Sequence, residues 1–556
     1  MNMITERKIL AVIGVGLFFA VACAPAPPQA EHDVVIRGGT LLDGTGSPAS
    51  VGDLAIRGDK IVAVGRVDGT GKVTIDATGL MVAPGFVDMH SHSEPWRLRH
   101  GGHGPSFAYQ GITTEVFGET GSPGPFGGKM QGGLIEDEEV PPEARDRCRT
   151  LGGCLDFLES RGSSANFASY VGSGAVRAYV MGYVDRAPTT EELDQMRALV
   201  RQAVLEGAVG VSSGMSYVPN IYMTTDELAA LVKEAAAFGG IYATHARTMN
   251  GTDPNAIREA IEIGRKAGAD VHFHHLNSTS GPKAGDFLPI IDSARNGGMN
   301  VTGNAYTYTW GITGLSSYIP AWAQEGGRES MLKRLANPAD RQRIAKGFVS
   351  EPPYLANIGW HHVRLGVRDK AVNGKLVSEV AAERRQPPEE VFMDVVLAAK
   401  GEGMVIDWNN EEDTLRLVLQ KPYVAAGTDG STLGLDWQDL PPLIHPRHMG
   451  TIPRWLGTYV RDDKMMSWED AVRRLAALPF EILKIPNRGT LRAGNFADVV
   501  IFDPKAIDGR ATFEDPSHYA VGMRQVFVNG VAVVKDGLYT GALPGRALRG
   551  QAYRKS

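Results

Sequence analysis

An apolar strand pattern ends in two histidines in the segment Pro84-Gly85-Phe86-Val87-Asp88-Met89-His90-Ser91-His92. Side chains at positions i and i+2 of a strand point to the same side, so the imidazoles of His90 and His92 can bind one cation together. The H-x-H spacing by itself is weak evidence for a metal site. It needs support from further ligands elsewhere in the chain.

Seven more strand patterns follow, and amphipathic helical patterns such as Thr190–Glu206 and Thr225–Phe238 lie between them. Alternating strands and helices are typical of parallel βαβ units, and eight such units predict an α/β fold of the (β/α)8 TIM-barrel class. The predicted strands are Val82–His90, Thr113–Phe117, Asn166–Val171, Ala208–Ser212, Ile241–His245, Ala269–His275, Met299–Ala305 and Tyr423–Thr428.

Polar side chains occur where several of these strands end. His245 closes the fifth strand, His275 closes the sixth, and Asp429 follows the eighth. The carboxyl ends of all strands of a TIM barrel meet at one face, where catalytic groups lie. Three strands that end in histidine, with a fourth followed by aspartate, therefore indicate a metal centre far more strongly than H-x-H alone.

The sixth strand contains more than one histidine that could be the ligand. Strand parity puts His272 and His274 on one face and His275 on the other. Composition alone does not select among them. We interpret His272 and His274 as ordinary buried histidines.

Short strand patterns also occupy both chain ends, for example Asp33–Arg37 and Gln525–Gly530. They predict a small discontinuous β-sandwich domain built from both ends of the chain. The predicted organisation is a β-domain of residues 33–80 and 481–549 around a barrel of residues 81–480. An insertion is expected at residues 309–421, between the last two barrel strands.

Composition narrows the class of protein. The chain has 556 residues, of which 43% are hydrophobic, so it is a large globular protein rather than a small module. Its net charge of -6 argues against nucleic acid or an anionic membrane surface as a partner. A small-molecule substrate is the expected partner.

The N-terminus resembles a secretory signal. Arg7 and Lys8 precede an apolar run of about 14 residues, shorter than the roughly 20 that span a bilayer. Residues 1–22 are therefore expected to be removed, and Ala20-Val21-Ala22-Cys23 resembles a bacterial lipobox. It favours a lipoprotein anchored through Cys23 in the periplasm or cell envelope. The alternative is a plain signal in which Cys23 is incidental.

Export to an oxidising compartment affects the two remaining cysteines. Cys148 and Cys154 are close enough in sequence to close a small disulfide loop. Two buried free thiols are the alternative. Neither cysteine lies near a histidine-rich segment, so neither is assigned to a metal.

The chain from about residue 33 to 549 resembles the amidohydrolase superfamily, and within it a divergent branch of the N-acyl-D-amino-acid deacylases, or D-aminoacylases. The resemblance is carried by residues 84–92, by His245 and His275, and by Gly427-Thr428-Asp429-Gly430. Further matches in the same order are Gly207–Pro219, Tyr306-Thr307-Tyr308, His445-Pro446-Arg447, Gly450-Thr451-Ile452-Pro453-Arg454 and Thr540–Arg546.

The resemblance implies one or two zinc ions held by His90, His92, His245 and His275. It also implies that Asp429 positions and deprotonates the attacking water, acting as general base and then general acid. This ligand set agrees with the strand ends identified above.

A bridging ligand is less obvious, because the usual candidates are missing. Many amidohydrolases use a carbamylated lysine, but Lys129 is the single lysine from Ser93 to Val232 and lies in a glycine-rich loop. D-aminoacylases instead have a cysteine after the second strand, where this chain has Gly118-Glu119-Thr120-Gly121. We hypothesise that Glu119 takes this role. The alternative is a surface loop carboxylate.

The resemblance further implies which residues contact the substrate. Arg447 would hold the α-carboxylate of an N-acyl amino acid, Tyr306 would add a hydroxyl, and Tyr217 belongs to a matched motif. The family usually has a lysine after the sixth-strand histidine, whereas this chain has Asn277. Because of this departure, the resemblance implies amide hydrolysis more directly than D-amino-acid specificity.

The leading hypothesis is therefore a zinc-dependent hydrolase of linear amides, acting on N-acyl-D-amino acids or D-containing dipeptides. A cyclic-amide hydrolase of the hydantoinase or dihydroorotase kind is one alternative. A lipoprotein of the cell envelope that binds a metal or solute without turnover is another.

Overall fold

The computed structural model describes residues 31–130, 140–247, 254–278, 284–350, 358–408 and 411–554. The expected signal peptide and Cys23 lie outside these residues. Within them, no helix is both long enough and apolar enough to cross a membrane.

The strands of the described residues are numbered in chain order. They are β1 His32–Leu41, β2 Ser50–Arg57, β3 Lys60–Gly65, β4 Gly71–Asp76, β5 Met81–Pro84, β6 Phe86–Asp88, β7 Ile112–Phe117, β8 Asn166–Ser169, β9 Val171–Gly172, β10 Gly210–Gly214, β11 Ile241–His245, β12 Val271–Phe273, β13 Val301–Ala305, β14 Trp310–Gly314, β15 Val363–Gly366, β16 Met404–Trp408, β17 Val424–Ala426, β18 Val499–Phe502, β19 Met523–Val528, β20 Val531–Lys535 and β21 Leu538–Tyr539.

The α-helices are numbered in the same way. They are α1 Glu94–Arg99, α2 Pro105–Ala108, α3 Pro142–Arg147, α4 Leu151–Ser160, α5 Ser173–Met181, α6 Thr190–Leu205, α7 Thr225–Ala236, α8 Pro254–Ala267, α9 Ala284–Asn296, α10 Ala321–Gln324, α11 Arg328–Ala336, α12 Pro338–Ser350, α13 Val377–Arg384, α14 Pro388–Ala398, α15 Glu412–Leu419, α16 Arg447–Arg454, α17 Trp468–Val472 and α18 Leu478–Leu483. The π-helical segments Trp455–Asp462 and Arg473–Ala477 continue α16 and α17.

Local sequence explains where the predicted helices begin. Thr189 accepts a hydrogen bond from the backbone N–H of Glu192, and the Glu192 side chain accepts one from the backbone of Thr189, which forms a capping box before α6. Thr224 accepts from the backbone of Glu227 in the same way before α7. Each helix then buries one apolar face against the barrel.

Parallel strands form the predicted barrel. One part of the barrel consists of β6, β7 and β8, which pair in that order. The other part is a sheet in the order β9-β10-β11-β12-β13-β17. β8 and β9 are two pieces of one strand position, separated by Tyr170. The barrel closes where Met89 N donates to the carbonyl of Ala426 at 3.0 Å and Asp429 N donates to the carbonyl of His90 at 2.8 Å. The (β/α)8 prediction is confirmed.

One glycine separates the barrel from the terminal sheet. A Cβ atom at Gly85, between β5 and β6, would lie 2.1 Å from Oγ1 of Thr113. Only glycine allows this close approach. The chain therefore passes from one sheet to the other inside the segment that ends in His90 and His92.

Strands of both chain ends share one sheet, in the order β21-β20-β19-β18-β5-β1-β2-β3 with β4 beside β1. The two ends meet where β18 pairs antiparallel with β5, with Val499 opposite Pro84. Alternating apolar residues of these strands form a separate small core. We propose the predicted division into residues 33–80 and 481–549 around a barrel of residues 81–480, with one change. β5 belongs to the terminal sheet, so the first boundary lies at Gly85 instead of residue 80.

The segment after β13 has a core of its own. Its strands form a three-stranded antiparallel sheet in the order β14-β16-β15, and helices α10 to α14 pack on it. α15 differs, because Leu415 and Val418 belong to the barrel core and the helix packs against α9 and β13. The separate core therefore ends before α15, so the predicted insertion 309–421 includes one helix of the barrel.

Cys148 and Cys154 form a disulfide. Cys148 follows α3, Cys154 lies in the first half of α4, and both are buried. Of the two alternatives predicted for this pair, the structure has the disulfide.

Candidate metal centre

The ends of five barrel strands bring the predicted ligands to one face. His90 and His92 follow β6, Glu119 follows β7, and His245 is the last residue of β11. The other two residues, His275 and Asp429, follow β12 and β17. Because all these strands are parallel, their carboxyl ends meet at the same mouth of the barrel.

Glu119 lies between two histidine pairs. Its Oε2 is 3.2 Å from Nε2 of His90 and 3.4 Å from Nε2 of His92. Its Oε1 is 3.5 Å from Nδ1 of His245 and 3.8 Å from Nε2 of His275. The donor atoms form two groups that share this carboxylate. Each oxygen of Glu119 therefore faces a different histidine pair.

A backbone turn fixes the position of Glu119. The preceding Gly118 has φ +98°, and a Cβ atom there would lie 2.7 Å from the carbonyl oxygen of Tyr170. The N–H of Gly118 donates to Glu94 at 3.1 Å, and its carbonyl accepts from the hydroxyl of Ser212. These contacts direct the Glu119 side chain inward, where it is 6% exposed.

Asp429 lies beside the first histidine pair. Its Oδ1 is 3.2 Å from Nε2 of His92 and 3.5 Å from Nε2 of His90. Its Oδ2 accepts a hydrogen bond of 2.7 Å from Nη1 of Arg447. The two oxygens of Asp429 thus face different partners, imidazoles on one side and a guanidinium on the other.

The charges of the site balance one another. Burial would raise the pKa of Glu119, but the surrounding imidazoles of His90, His275 and His92 hold it well below its usual value. Burial likewise opposes the ionisation of Asp429, and Arg447 and His90 outweigh it and lower the pKa. Both carboxylates are therefore ionised.

The same charges act on His92. Desolvation lowers the pKa of His92, but hydrogen bonds with Asp429 and Glu119 outweigh it and raise the pKa to about 10. The protonated imidazole then compensates the carboxylates. A divalent cation would replace that proton, so binding of a metal is expected to release it.

The residues fit a metal ion. Oε1 of Glu119 is buried and has no hydrogen-bond partner among the described residues, although it faces two imidazole nitrogens. Histidine nitrogens together with carboxylate oxygens are the ligand types that zinc takes in proteins. Four histidines and two carboxylates supply enough donors for two ions that share Glu119.

A second layer of histidines lies beneath this site. Nδ2 of Asn304 lies 3.0 Å from Nε2 of His272 and 3.1 Å from Nδ1 of His274, and Oδ1 of Asn304 accepts from the N–H of His275 at 2.8 Å. The His274 ring stacks on His90 at 4.0 Å. Burial lowers the pKa of both lower histidines, to about 3 for His272. These two side chains are neutral and buried.

A small cavity of about 30 Å³ opens beside His245 and His275. Three of the predicted substrate residues line it, namely Tyr217, Tyr306 and Arg447. Sequence reasoning did not identify its other lining residues, Ser278, Gly311, Ile312, Thr313 and Asp407. Only Asp407 could have been noticed in the sequence, because it is a single acidic residue among the apolar residues of β16.

Arg447 retains a donor for a ligand. Its Nη1 donates to Asp429 and its Nη2 donates to the carbonyl of Ile312 at 3.4 Å. Nε is buried and has no hydrogen-bond partner among the described residues. The guanidinium also lies 5.1 Å from the ring centroid of Tyr306. These contacts hold the guanidinium at the cavity wall.

Asn277 has a different position. It is fully buried, and its Oδ1 accepts a hydrogen bond of 3.1 Å from the N–H of Tyr306. It is not among the residues that line the cavity. The Asn277 side chain therefore fixes the backbone at Tyr306 and does not face the cavity.

Known proteins resemble this chain over nearly its whole length. The sequence model of the amidohydrolase family matches residues 337–534. The chain is 33% identical to D-aminoacylase of Alcaligenes xylosoxydans xylosoxydans over 530 residues, which cover 93% of this chain and 97% of that protein. It is 34% identical to the N-acyl-D-aspartate deacylase of the same organism, covering 94% of this chain and 96% of that protein.

A solved structure is similar over the same range. The crystal structure of N-acyl-D-glutamate deacylase from Bordetella bronchiseptica, complexed with zinc and a phosphonate inhibitor, has a TM-score of 0.77 and 28% identity. The match covers 93% of this chain and 100% of that chain. The comparisons confirm the predicted enzyme class, a metal-dependent hydrolase of C–N bonds. This chain belongs to the D-aminoacylase family of the amidohydrolase superfamily.

Proposed function

We propose that the chain is a zinc-dependent deacylase. It hydrolyses the linear amide of N-acyl-D-amino acids, or of dipeptides with a D-residue, to a carboxylate and an amino acid. The observation that carries this proposal is the position of Glu119, whose oxygens face two histidine pairs with Asp429 beside one of them. The similarity of the chain to a D-aminoacylase and to an N-acyl-D-aspartate deacylase supports the substrate class.

The ligands of the zinc would be His90, His92, His245 and His275, with Glu119 between the two pairs. A zinc ion held there would supply Lewis-acid chemistry, which would polarise the amide carbonyl and lower the pKa of water to about 7. The similar deacylase complexed with zinc supports this choice of metal. The shared carboxylate favours two ions over one.

Asp429 would move the proton of the reaction. Arg447 occupies Oδ2 of Asp429, which leaves Oδ1 on the histidine side. Oδ1 accepts a proton from the attacking water as its oxygen bonds to the carbonyl carbon. Asp429 then delivers the same proton to the amide nitrogen as the C–N bond breaks. The low pKa of Asp429 keeps it ionised and ready to accept.

Substrate binding would use the cavity beside the second histidine pair, which at about 30 Å³ would have to widen to admit an N-acyl amino acid. Nε of Arg447 is the donor proposed for the α-carboxylate, and the hydroxyls of Tyr306 and Tyr217 would bind the amide or carboxylate oxygens. Asn277 would contribute by holding the backbone of Tyr306. The family lysine is thus replaced by a neutral side chain, which weakens the attraction for an anion.

The two alternatives are less well supported. A cyclic-amide hydrolase of the hydantoinase or dihydroorotase kind would be expected to have a bridging lysine at the end of a central barrel strand. From Ser93 to Val232 this chain has only Lys129, in a glycine-rich loop. A protein that only binds a metal or solute has no need of a proton acceptor such as Asp429 beside the ligands. Both alternatives nevertheless make distinct predictions in the same experiment.

The experiment is metal analysis followed by a substrate screen. Purified, zinc-loaded protein is assayed with N-acetyl-D-amino acids, their L-enantiomers, and a hydantoin and dihydroorotate as cyclic amides. We expect bound zinc and hydrolysis of the linear D-substrates. Turnover of the cyclic amides alone would support the first alternative, and bound zinc without any hydrolysis would support the second.

We also propose that the protein is exported and anchored through Cys23. The basic and apolar residues before Cys23 support this proposal, and they lie outside the described residues. Cell fractionation with labelled palmitate tests it. We expect label and membrane association in the full chain and neither in Cys23→Ser. Unlabelled protein in the periplasmic fraction would indicate a plain signal peptide.

A further inference from the structure

A carboxylate of β16 reaches the cavity beside the metal centre. Asp407 is 3% exposed and lines the same cavity as His275 and Arg447. It belongs to neither group of metal donors. Neither the proposed zinc site nor the proposed proton transfer uses this charge.

The local sheet geometry holds the carboxylate at the cavity wall. Asp407 stands opposite Gly311 of β14 in the antiparallel register. Opposite residues of such a pair project from the same face of a sheet, and a glycine places no side chain there. Tyr318 donates its phenol proton to Oδ2 of Asp407, which fixes the orientation of the carboxylate.

The cavity therefore contains charges of both signs. The Arg447 guanidinium donates to Asp429 at 2.7 Å, so its positive charge is directed to the metal side. Asp407 brings a negative charge to the β16 side. It therefore lines the same cavity as the proposed metal ligands His245 and His275.

We propose that Asp407 forms a subsite for a cationic nitrogen of the substrate, so that the enzyme prefers amides that carry an ammonium or guanidinium group. This proposal rests on the proposed deacylase function. A cation beside a buried carboxylate gains a charge-assisted hydrogen bond in a poorly solvated site. A methyl group in the same position makes no such bond and removes solvent from the carboxylate.

Two kinds of substrate would place a cation there. A dipeptide has an α-ammonium on the acyl side of the scissile bond, and an N-acyl-D-lysine has an ammonium on the amine side. Each has a neutral analogue of similar shape. Propionyl replaces the glycyl group of a dipeptide, and norleucine replaces lysine.

The experiment measures kcat/KM for four substrates in two pairs. The first pair is glycyl-D-norleucine and N-propionyl-D-norleucine, and the second is N-acetyl-D-lysine and N-acetyl-D-norleucine. We expect the zinc-loaded enzyme to favour the cationic member of one pair by about tenfold or more. The pair that shows the preference identifies the source of the cation.

Three variants test whether Asp407 causes the preference. Asp407→Asn removes the charge but keeps an acceptor for Tyr318, and it is expected to lower kcat/KM for the cationic substrate to that of its neutral partner. Tyr318→Phe keeps the charge but removes the hydrogen bond that orients it, so the preference should become smaller than in the unmodified enzyme and stay larger than in Asp407→Asn. Asp413→Asn, at an exposed aspartate of α15, is the matched control and should behave as the unmodified enzyme.

The outcomes separate this proposal from the one on which it rests. Equal turnover within both pairs, or a preference that survives in Asp407→Asn, would refute the cation subsite while leaving deacylation in place. Hydrolysis of none of the four substrates would refute the deacylase function itself. A Tyr318→Phe variant that loses as much of the preference as Asp407→Asn, with folding intact by circular dichroism, would also count against a role for the charge.

Discussion

Two layers of histidines lie at the mouth of the barrel, and they differ in their partners. In the upper layer, His90, His92, His245 and His275 face the carboxylate of Glu119. In the lower layer, one amide, that of Asn304, lies within hydrogen-bond distance of both His272 and His274. Carboxylates attract a proton or a cation to the upper layer, whereas the amide favours neutral rings. The side chain that a histidine contacts therefore distinguishes the proposed metal ligands from the structural histidines.

The largest effect is expected when Asp429, the proposed proton acceptor beside the upper layer, is replaced. Asp429→Asn should lower kcat by about 10²- to 10⁴-fold, because an amide cannot accept the proton of water. Steady-state kinetics with an N-acetyl-D-amino acid measure the effect, and metal analysis checks that zinc remains bound. Full activity in this variant would contradict the assigned role.

The next test removes the charge shared by both histidine pairs. Glu119→Gln should reduce bound zinc to about half or less, because a neutral amide is a poor zinc ligand and does not bridge two ions. Metal analysis after dialysis measures this. Glu143→Gln, at an exposed glutamate of α3, is the matched control. Unchanged zinc content and activity would make Glu119 an ordinary loop carboxylate.

The lower layer can be disrupted separately. Asn304→Ala removes the buried amide that contacts His272, His274 and the N–H of His275, so it should destabilise the metal-free protein by about 2 to 4 kcal/mol. Denaturant unfolding measures this free energy, with Asn296→Ala at the exposed end of α9 as the control. Zinc content should fall less than in Glu119→Gln. A variant that loses as much zinc as Glu119→Gln but keeps the stability of the unmodified protein would instead place Asn304 with the metal ligands.

The smallest effect concerns pH. Burial lowers the pKa of His272 to about 3 in the folded chain, against about 6.5 when unfolded. Its contribution to stability is therefore fully present above about pH 6.5 and is lost progressively as the pH falls towards 3. Between about pH 7.5 and 5.5, the drop in the free energy of unfolding should be about 1 kcal/mol smaller in His272→Gln. Equal drops in urea unfolding would mean that His272 titrates normally.

Much of the barrel and of the upper layer could be predicted from the sequence. Parallel strands are buried on both faces and read as short apolar runs, so β7, β11 and β13 were found close to their observed positions. A barrel collects the ends of its strands at one mouth, so residues far apart in sequence could be placed together. Glu119 was proposed because the turn after the second strand lacks the cysteine of the family.

The cavity wall opposite the metal centre could not be predicted in the same way. Among the described strands, β16 pairs with β14 and β15, and this sheet has no strand in common with the barrel. Its position over the barrel depends on long-range packing that no local pattern encodes. For this reason, the sequence did not indicate that Asp407 lines the cavity beside the metal centre. The role of Asn304 could not be predicted either. A single polar residue in a barrel strand forms no sequence pattern, and its role depends on the side chains that it contacts in the fold.

The sheet shared by both chain ends has a consequence for biosynthesis. β5 leaves the ribosome early, but its partner β18 follows only after the whole barrel has been made. One edge of the first sheet therefore stays open during most of translation, and open strand edges invite wrong pairing. The sheet that is begun first is completed last, so a chain truncated near its C-terminus would lack part of its N-terminal domain as well.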